Sequence, residues 1–357
     1  MKRFLSGLAV AVTAVAFSSC GSSSTSSPNG PTTGPSAPPE LLSTTGLYTD
    51  IARKQVDPGN LPWVPNYPLW SDGSAKERWI RLPAGTKIDT SNMDRWVFPV
   101  GTKFYKEFSF NGRRVETRIM EKVGSAASLD SWTFKAYQWR PDESDAQRVG
   151  DDGVPNAAQT SFGTTHDIPS LAACRACHTR GGDAVNAFEA LQLSADRDPL
   201  GVPASKLEPG DITLEDLERR GLITNAPAEQ PRIVSSTPAG RLAMGFLHGN
   251  CSPCHNPQGP AATLGMDLRH TVAAHSEAEE PAYRTAVNQL TTTYAMPGTQ
   301  VSVNSFRILG GSPDMSAVLF RTNSRASGQQ MPPFATKVPD ADAVNYLTDW
   351  IRGLPRR

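Results

Sequence analysis

Two Cys-x-x-Cys-His strings, Cys174-Arg-Ala-Cys177-His178 and Cys251-Ser-Pro-Cys254-His255, constrain this chain more than any other feature. Two cysteines three residues apart on a helical turn present both thiols to one side, and a histidine following at once is held beside them. This is the pattern of covalent c-type haem attachment, in which the thiols become thioethers to the two porphyrin vinyl groups and the imidazole becomes the proximal iron ligand. Cys174, Cys177, Cys251 and Cys254 are therefore expected to attach two covalently bound haem c groups, with His178 and His255 as metal ligands. Four cysteines could instead form a tetrahedral zinc site, and each pair could be a redox dithiol or a disulfide. None of these alternatives calls for a histidine directly after both pairs.

The fifth cysteine has a different setting. Lys2 and Arg3 precede a short apolar run, Leu5 to Phe17, too short to span a bilayer and typical of an export signal. The run ends in Phe17-Ser18-Ser19-Cys20, which resembles a bacterial lipoprotein cleavage box with Phe17 in place of the usual leucine. The resemblance implies cleavage before Cys20 and lipid attachment there. No other segment has a continuous apolar run of spanning length. Residues 21 to 40 are almost all Ser, Thr, Pro and Gly, which cannot bury enough apolar surface to fold. As flexible coil, ~20 such residues reach about 25 Å. The 35 basic and 35 acidic residues balance, so no overall field favours nucleic acid.

The expected class is multidomain α+β: a signal peptide over 1–19, lipid attachment and linker over 20–46, a Trp-rich, mostly β domain over 47–160, a first haem segment over 161–234, and a helical module over 235–357. Six of the seven tryptophans lie between Leu47 and Val149 and read as core, with a binding surface as the sharper alternative. Asn111-Gly112 predicts a two-residue hairpin turn, because both positions of such a turn need positive φ. Alternation then puts Phe108 and Phe110 on one face, paired with Val115, Thr117 and Ile119. Helices are predicted from Pro169 to His178, from the capping-box-like Thr213-Leu-Glu-Asp216 to Gly221, from Thr237 to the second cysteine string, and from Asp340 onward, where Val344, Leu347, Ile351 and Leu354 recur at helical spacing.

The helix carrying Leu242, Gly245 and Phe246 leads into Cys251, and the chain ends on a helix with Tyr346, Leu347 and Trp350. This resembles class I cytochromes c, whose first and last helices cross where glycine meets an aromatic residue. Between the two lies Met331-Pro-Pro333. In class I cytochromes a methionine on a stiff loop is the sixth iron ligand, a soft donor that raises the potential. Met331 is the candidate and Met296 its rival. For the first haem no such donor stands nearby: residues 179 to 243 contain neither methionine nor histidine. His166 and Met120 are more distant possibilities, Met244 and His248 read as packing residues, and His270 and His275 read as solvated.

The wider pattern is similar to a family of uncharacterised bacterial di-haem c-type cytochromes, through Pro68-Leu-Trp-Ser-Asp-Gly73, Arg78-Trp-Ile-Arg-Leu-Pro83, Phe98-Pro-Val-Gly-Thr102, Glu116-Thr-Arg118, Asn250-Cys-Ser-Pro-Cys-His-Asn-Pro257 and Met331-Pro-Pro333. The resemblance covers most of the chain after the linker. It implies haem binding and electron transfer in the cell envelope; redox proteins are the expected partners, and the lipid on Cys20, followed by Gly21 rather than aspartate, is expected to hold the N-terminus to the outer membrane. The alternative from another class is a di-haem enzyme, a peroxidase-like reductase or other oxidoreductase using an open position on the first iron.

Overall fold

Side chains that alternate about a sheet, from residue 75 to residue 148, build the centre of the molecule. The computed structural model describes residues 38–179, 183–297 and 305–356, so the expected signal, Cys20 and nearly all of the linker lie outside the described residues. A short ribbon, β1 (Tyr48–Asp50) with β2 (Gln55–Val56), precedes a six-stranded antiparallel sheet in chain order: β3 (Leu61–Pro62), β4 (Ala75–Arg81), β5 (Lys103–Phe110), β6 (Arg113–Lys122), β7 (Trp132–Trp139) and β8 (Ala146–Arg148). A separate hairpin follows, β9 (Val154–Gln159) with β10 (Thr165–Ile168). The fold is mixed α+β, with its strands concentrated in the N-terminal region.

Asn111 and Gly112 turn the β5–β6 hairpin with φ of 51° and 75°, as a turn with two left-handed central residues requires. The register beyond it differs from the sequence expectation. A bulge between Phe108 and Ser109 sets Phe108 opposite Glu116, while Thr117 and Ile119 lie opposite Glu107 and Tyr105 on the other face. Alternation alone could not settle this, because both faces of the sheet are buried. One face, with Ile80, Phe104 and Phe134, joins a core that includes Trp63, Trp96, Phe98, Phe188 and Leu193. The other, with Trp79, Tyr105, Ile119, Tyr137 and Trp139, is covered by Leu42, Leu47 and Tyr48. Five of the six N-terminal tryptophans are buried in these two cores, and Trp70 is half-buried. Phe188 stands edge-on to Trp63, with ring centroids 5.0 Å apart, and Phe98 to Phe104 at 5.2 Å, the geometry that aromatic quadrupoles favour.

The remaining chain is helical: α1 (Leu171–Cys177), α2 (Ala190–Leu193), α3 (Leu214–Arg219), α4 (Pro238–Asn250), α5 (Pro281–Ala286), α6 (Ala317–Asn323) and α7 (Ala341–Gly353). Their starts follow the caps written in the sequence. Thr213 and Asp216 form a reciprocal capping box, and the Thr237 and Asp340 side chains accept from Gly240 N and Ala343 N. Gly221, with φ of +66°, ends α3. Helices α4 and α7 pack together around Ala243, Leu247, Ala343, Leu347, Trp350 and Ile351.

The glycine contact on α4 is not the one expected. Gly240 is the residue that faces α7, where an added Cβ would lie 3.0 Å from Trp350 Cδ1. Gly245 instead receives Tyr67, whose ring occupies the space a Cβ would need, and Gly249 receives the Tyr67 carbonyl. Residues 67–72 thus form a strap across α4. Asn250 Oδ1 accepts from Trp70 N at 2.7 Å, Gln192 pairs with both backbone groups of Tyr67, and Trp70 Nε1 donates to Val338 O at 2.9 Å. Asp72 accepts from Lys337 N and Val338 N at 2.9–3.0 Å, fixing the approach to α7.

Candidate functional site

Helix α4 delivers the second cysteine string. Its last turn continues through Cys251 N to Leu247 O (2.9 Å), Cys254 N to Cys251 O (3.1 Å) and His255 N to Cys251 O (2.9 Å), so both thiols and the imidazole project from one tight turn. All three line one cavity. Met331, Pro332, Leu268, Tyr294 and Val318 line the same cavity. His255 is buried, and its Nδ1 has no hydrogen-bond partner. Burial, with Arg321 and Arg307 adding to it, lowers its pKa to about 4, so the ring is neutral.

The Met331 loop is held from below. Met331 N donates to Arg321 O at 2.9 Å, Arg321 Nε donates to Gln329 O at 3.0 Å, and Tyr294 OH donates to Gln329 Oε1 at 2.6 Å. The Met331–Pro332 peptide bond is cis. Met296 is buried and does not line this cavity, whereas Met266 does. No local pattern marked Met266; only the folding of its loop against α5 brings it there.

The first string ends a shorter helix. Ser170 caps α1 by accepting from Ala173 N, and His178 N closes the turn on Cys174 O at 3.1 Å. His178 Nδ1 donates to Ala184 O at 2.6 Å, which leaves Nε2 as the free ring nitrogen, and Phe134 of β7 lies against the ring at 5.1 Å. Burial pulls the His178 pKa down to about 4, opposed by the Ala184 bond and assisted by Lys106 and Arg118. The loop beyond is pinned by Asp183. It pairs with the fully buried Lys122 and accepts from Phe98 N (2.6 Å) and Trp132 Nε1 (3.0 Å).

The two strings lie near one another. Burial pushes the Cys177 thiol up to about 11, with the Cys254 thiol the next contributor, so the second string is within electrostatic reach of the first. Burial raises Cys251 to about 12 and also raises Cys174 and Cys254. All four are free thiols, and none has the lowered pKa of a reactive dithiol. Among the described residues, no three His, Cys, Asp or Glu side chains gather as a metal cage.

Three of the other four histidines are committed to carboxylates. His166 Nε2 meets Glu116 Oε2 at 2.9 Å between the Phe108 and Phe110 rings, and Glu116 also takes the Arg118 guanidinium in a fork. His248 pairs with Glu189 and accepts from His270 N at 2.9 Å. His270 is buried rather than solvated, because Glu280 meets its Nδ1 at 3.0 Å; His275 is exposed. Met244 is core, and Met120 is half-buried in the cluster that includes Cys174. Among the described residues no helix is long and apolar enough to cross a membrane. Comparison with family models, with curated proteins and with solved structures gives no match to this chain.

Proposed function

We propose that the chain is a di-haem c-type cytochrome that carries electrons between protein partners in the bacterial cell envelope, tethered to a membrane by a lipid on Cys20. The observation that carries this reading is the placement of two complete Cys-x-x-Cys-His turns side by side in one folded unit. The residues fit the group. His178 has Nδ1 bound to a carbonyl and Nε2 free, the arrangement that orients a metal-ligating imidazole. His255 is buried and neutral on the wall of a cavity that the Met331 side chain also lines.

When bound, haem supplies one-electron redox chemistry at iron. The chain supplies attachment at Cys174, Cys177, Cys251 and Cys254, axial donors at His178, His255 and Met331, and the burial that excludes water. The C-terminal part, residues 235–357, then corresponds to a class I cytochrome c-like module with Met331 as its sixth ligand. Intact mass should exceed the polypeptide by two haems plus any lipid, and haem staining should survive denaturing gels. A polypeptide carrying two disulfides and no haem would overturn the reading. Met331→Ala should remove a sulfur-to-iron charge-transfer band and lower one potential of the two; an unchanged band would reject Met331 as ligand.

A second reading, a di-haem oxidoreductase, is favoured by one observation: the His166 imidazole is engaged by Glu116 rather than directed at the first string. About one CO bound per reduced protein, with one high-spin signal in the oxidised form, would favour that enzyme. Two low-spin signals and no CO binding would favour the carrier.

A further inference from the structure

One face of the sheet carries a line of cations. The strand register places Arg78 opposite Lys106 and Lys106 opposite Arg118 on three adjacent strands, with Lys76 two residues from Arg78 on the same face of β4. Cβ atoms of directly opposed residues lie about 5 Å apart, and like charges at that spacing destabilise a sheet. Burial adds to the cost at Arg78, since a charge removed from water must find a partner, while Lys76, Lys106 and Arg118 are half-buried.

Arg118 has a partner, its guanidinium donating to both oxygens of the Glu116 carboxylate at 2.6 and 2.9 Å. Arg78 and Lys106 form no salt bridge among the described residues, although Asp211 is within electrostatic reach of Arg78. Arg78 is 6 % exposed and faces the Trp63 ring, 5.7 Å from its centroid. Lys106 Nζ lies 4.8 Å from the Phe108 centroid, and Lys76 Nζ donates to Ser74 O at 3.3 Å. Burial, with neighbouring cations adding, lowers Lys76 to about 7 and Lys106 well below the usual lysine range.

The line also has a direction. Arg118 is within electrostatic reach of both Cys174 and Cys177, Lys106 of Cys177, and Arg78 of neither. Its far end, Arg78 and Lys76, lines a separate cavity of about 1350 Å³ beside Tyr67, Trp70 and Phe246. A porphyrin fixed by its vinyl edge carries its two propionates on the opposite edge. We propose, on the reading that Cys174 and Cys177 hold a haem, that Arg78 and Lys106, with Lys76 beside them, bind the propionate carboxylates of that haem. Two carboxylates match the charge of the two cations that form no salt bridge, while Arg118 stays with Glu116.

The full haem-loaded protein is to be compared with Arg78→Gln, Lys106→Gln and Arg78→Lys. Both glutamine variants should keep two covalent haems by mass, shift the first haem's propionate bending modes in resonance Raman spectra, and lower its midpoint potential, leaving the second potential unchanged. Arg78→Lys should recover most of the potential, because the charge is retained. Two attached haems with unmoved Raman modes and potentials in both glutamine variants would overturn the anchor and leave the di-haem reading intact. No haem on the first string would overturn both. Saturable perturbation of the wild-type first haem by succinate, lost in Arg78→Gln, would show that the cations serve a diffusible carboxylate and would also overturn the assignment. Should Arg78→Gln fail to fold, Lys106→Gln gives the same readings.

Discussion

The same five-residue pattern sits in two unlike surroundings. His178 stands over a sheet face, against Phe134, with Lys106 and Arg118 close enough to influence its protonation. His255 follows a long helix, on a cavity that Met331 and Pro332 also line. Cations reach both histidines, Lys106 and Arg118 the first and Arg321 and Arg307 the second, but only the second shares a cavity with a methionine-proline loop. In the proposed cytochrome, attachment would be a local property of the cysteines, whereas the tuning of each site would belong to residues far away in the chain. Nearby cations and a methionine ligand would both favour the reduced iron, one electrostatically and one through ligation.

The contrast can be broken first at Asp183. Its carboxylate neutralises Lys122 where neither side chain is exposed. Asp183→Ala leaves that ammonium buried and unpaired, which should cost about 3–5 kcal/mol in chemical denaturation. In haem-loaded protein it should disturb the spectrum of the first haem and spare the second.

A pH dependence comes next, from the opposite face of the sheet. Burial raises Glu107 from 4.5 to about 7, with hydrogen bonds from Tyr48 (2.7 Å) and Thr117 (3.2 Å) opposing it. The folded state therefore holds a proton that the unfolded chain releases between about pH 4.5 and 7. This contribution is full below about pH 4.5 and is lost as pH rises through 7, amounting to roughly 3 kcal/mol. Denaturation midpoints of wild type minus Glu107→Gln, taken across that window, should carry the slope, and neither haem spectrum should respond.

The smallest effect tests the second region. Gly245→Ala forces a methyl group into the Tyr67 ring and should destabilise by about 1–3 kcal/mol in the same denaturation assay. In a Tyr67→Leu background the added cost should shrink, because the two sites share one contact. The perturbation should reach the second haem before the first.

What could be read in advance was whatever is local. The caps at Thr213, Thr237 and Asp340, the turn at Asn111-Gly112 and the burial of most tryptophans each depend on a few neighbouring residues, and each stands as expected. Contacts across the chain were not legible. The bulge at Phe108 moved Thr117 and Ile119 to the other face because two buried faces make alternation ambiguous. His270 looked solvated because Glu280, its partner, is in range only after the intervening loop folds back. The line from Arg78 to Arg118 exists only through register: each cation alone reads as an ordinary surface residue.

Tyr67 belongs by order to the strand-rich part and by packing to the helices. A break in the chain near residue 160 would carry off the ring that fills the α4 trough, leaving Gly245 and Gly249 facing water with nothing between them. Recombination among relatives meets the same restriction. A helical module acquired from elsewhere would arrive with a groove cut for one particular side chain, so strap and helix have to be inherited together even though their bonded residues lie 180 and 182 positions apart in sequence.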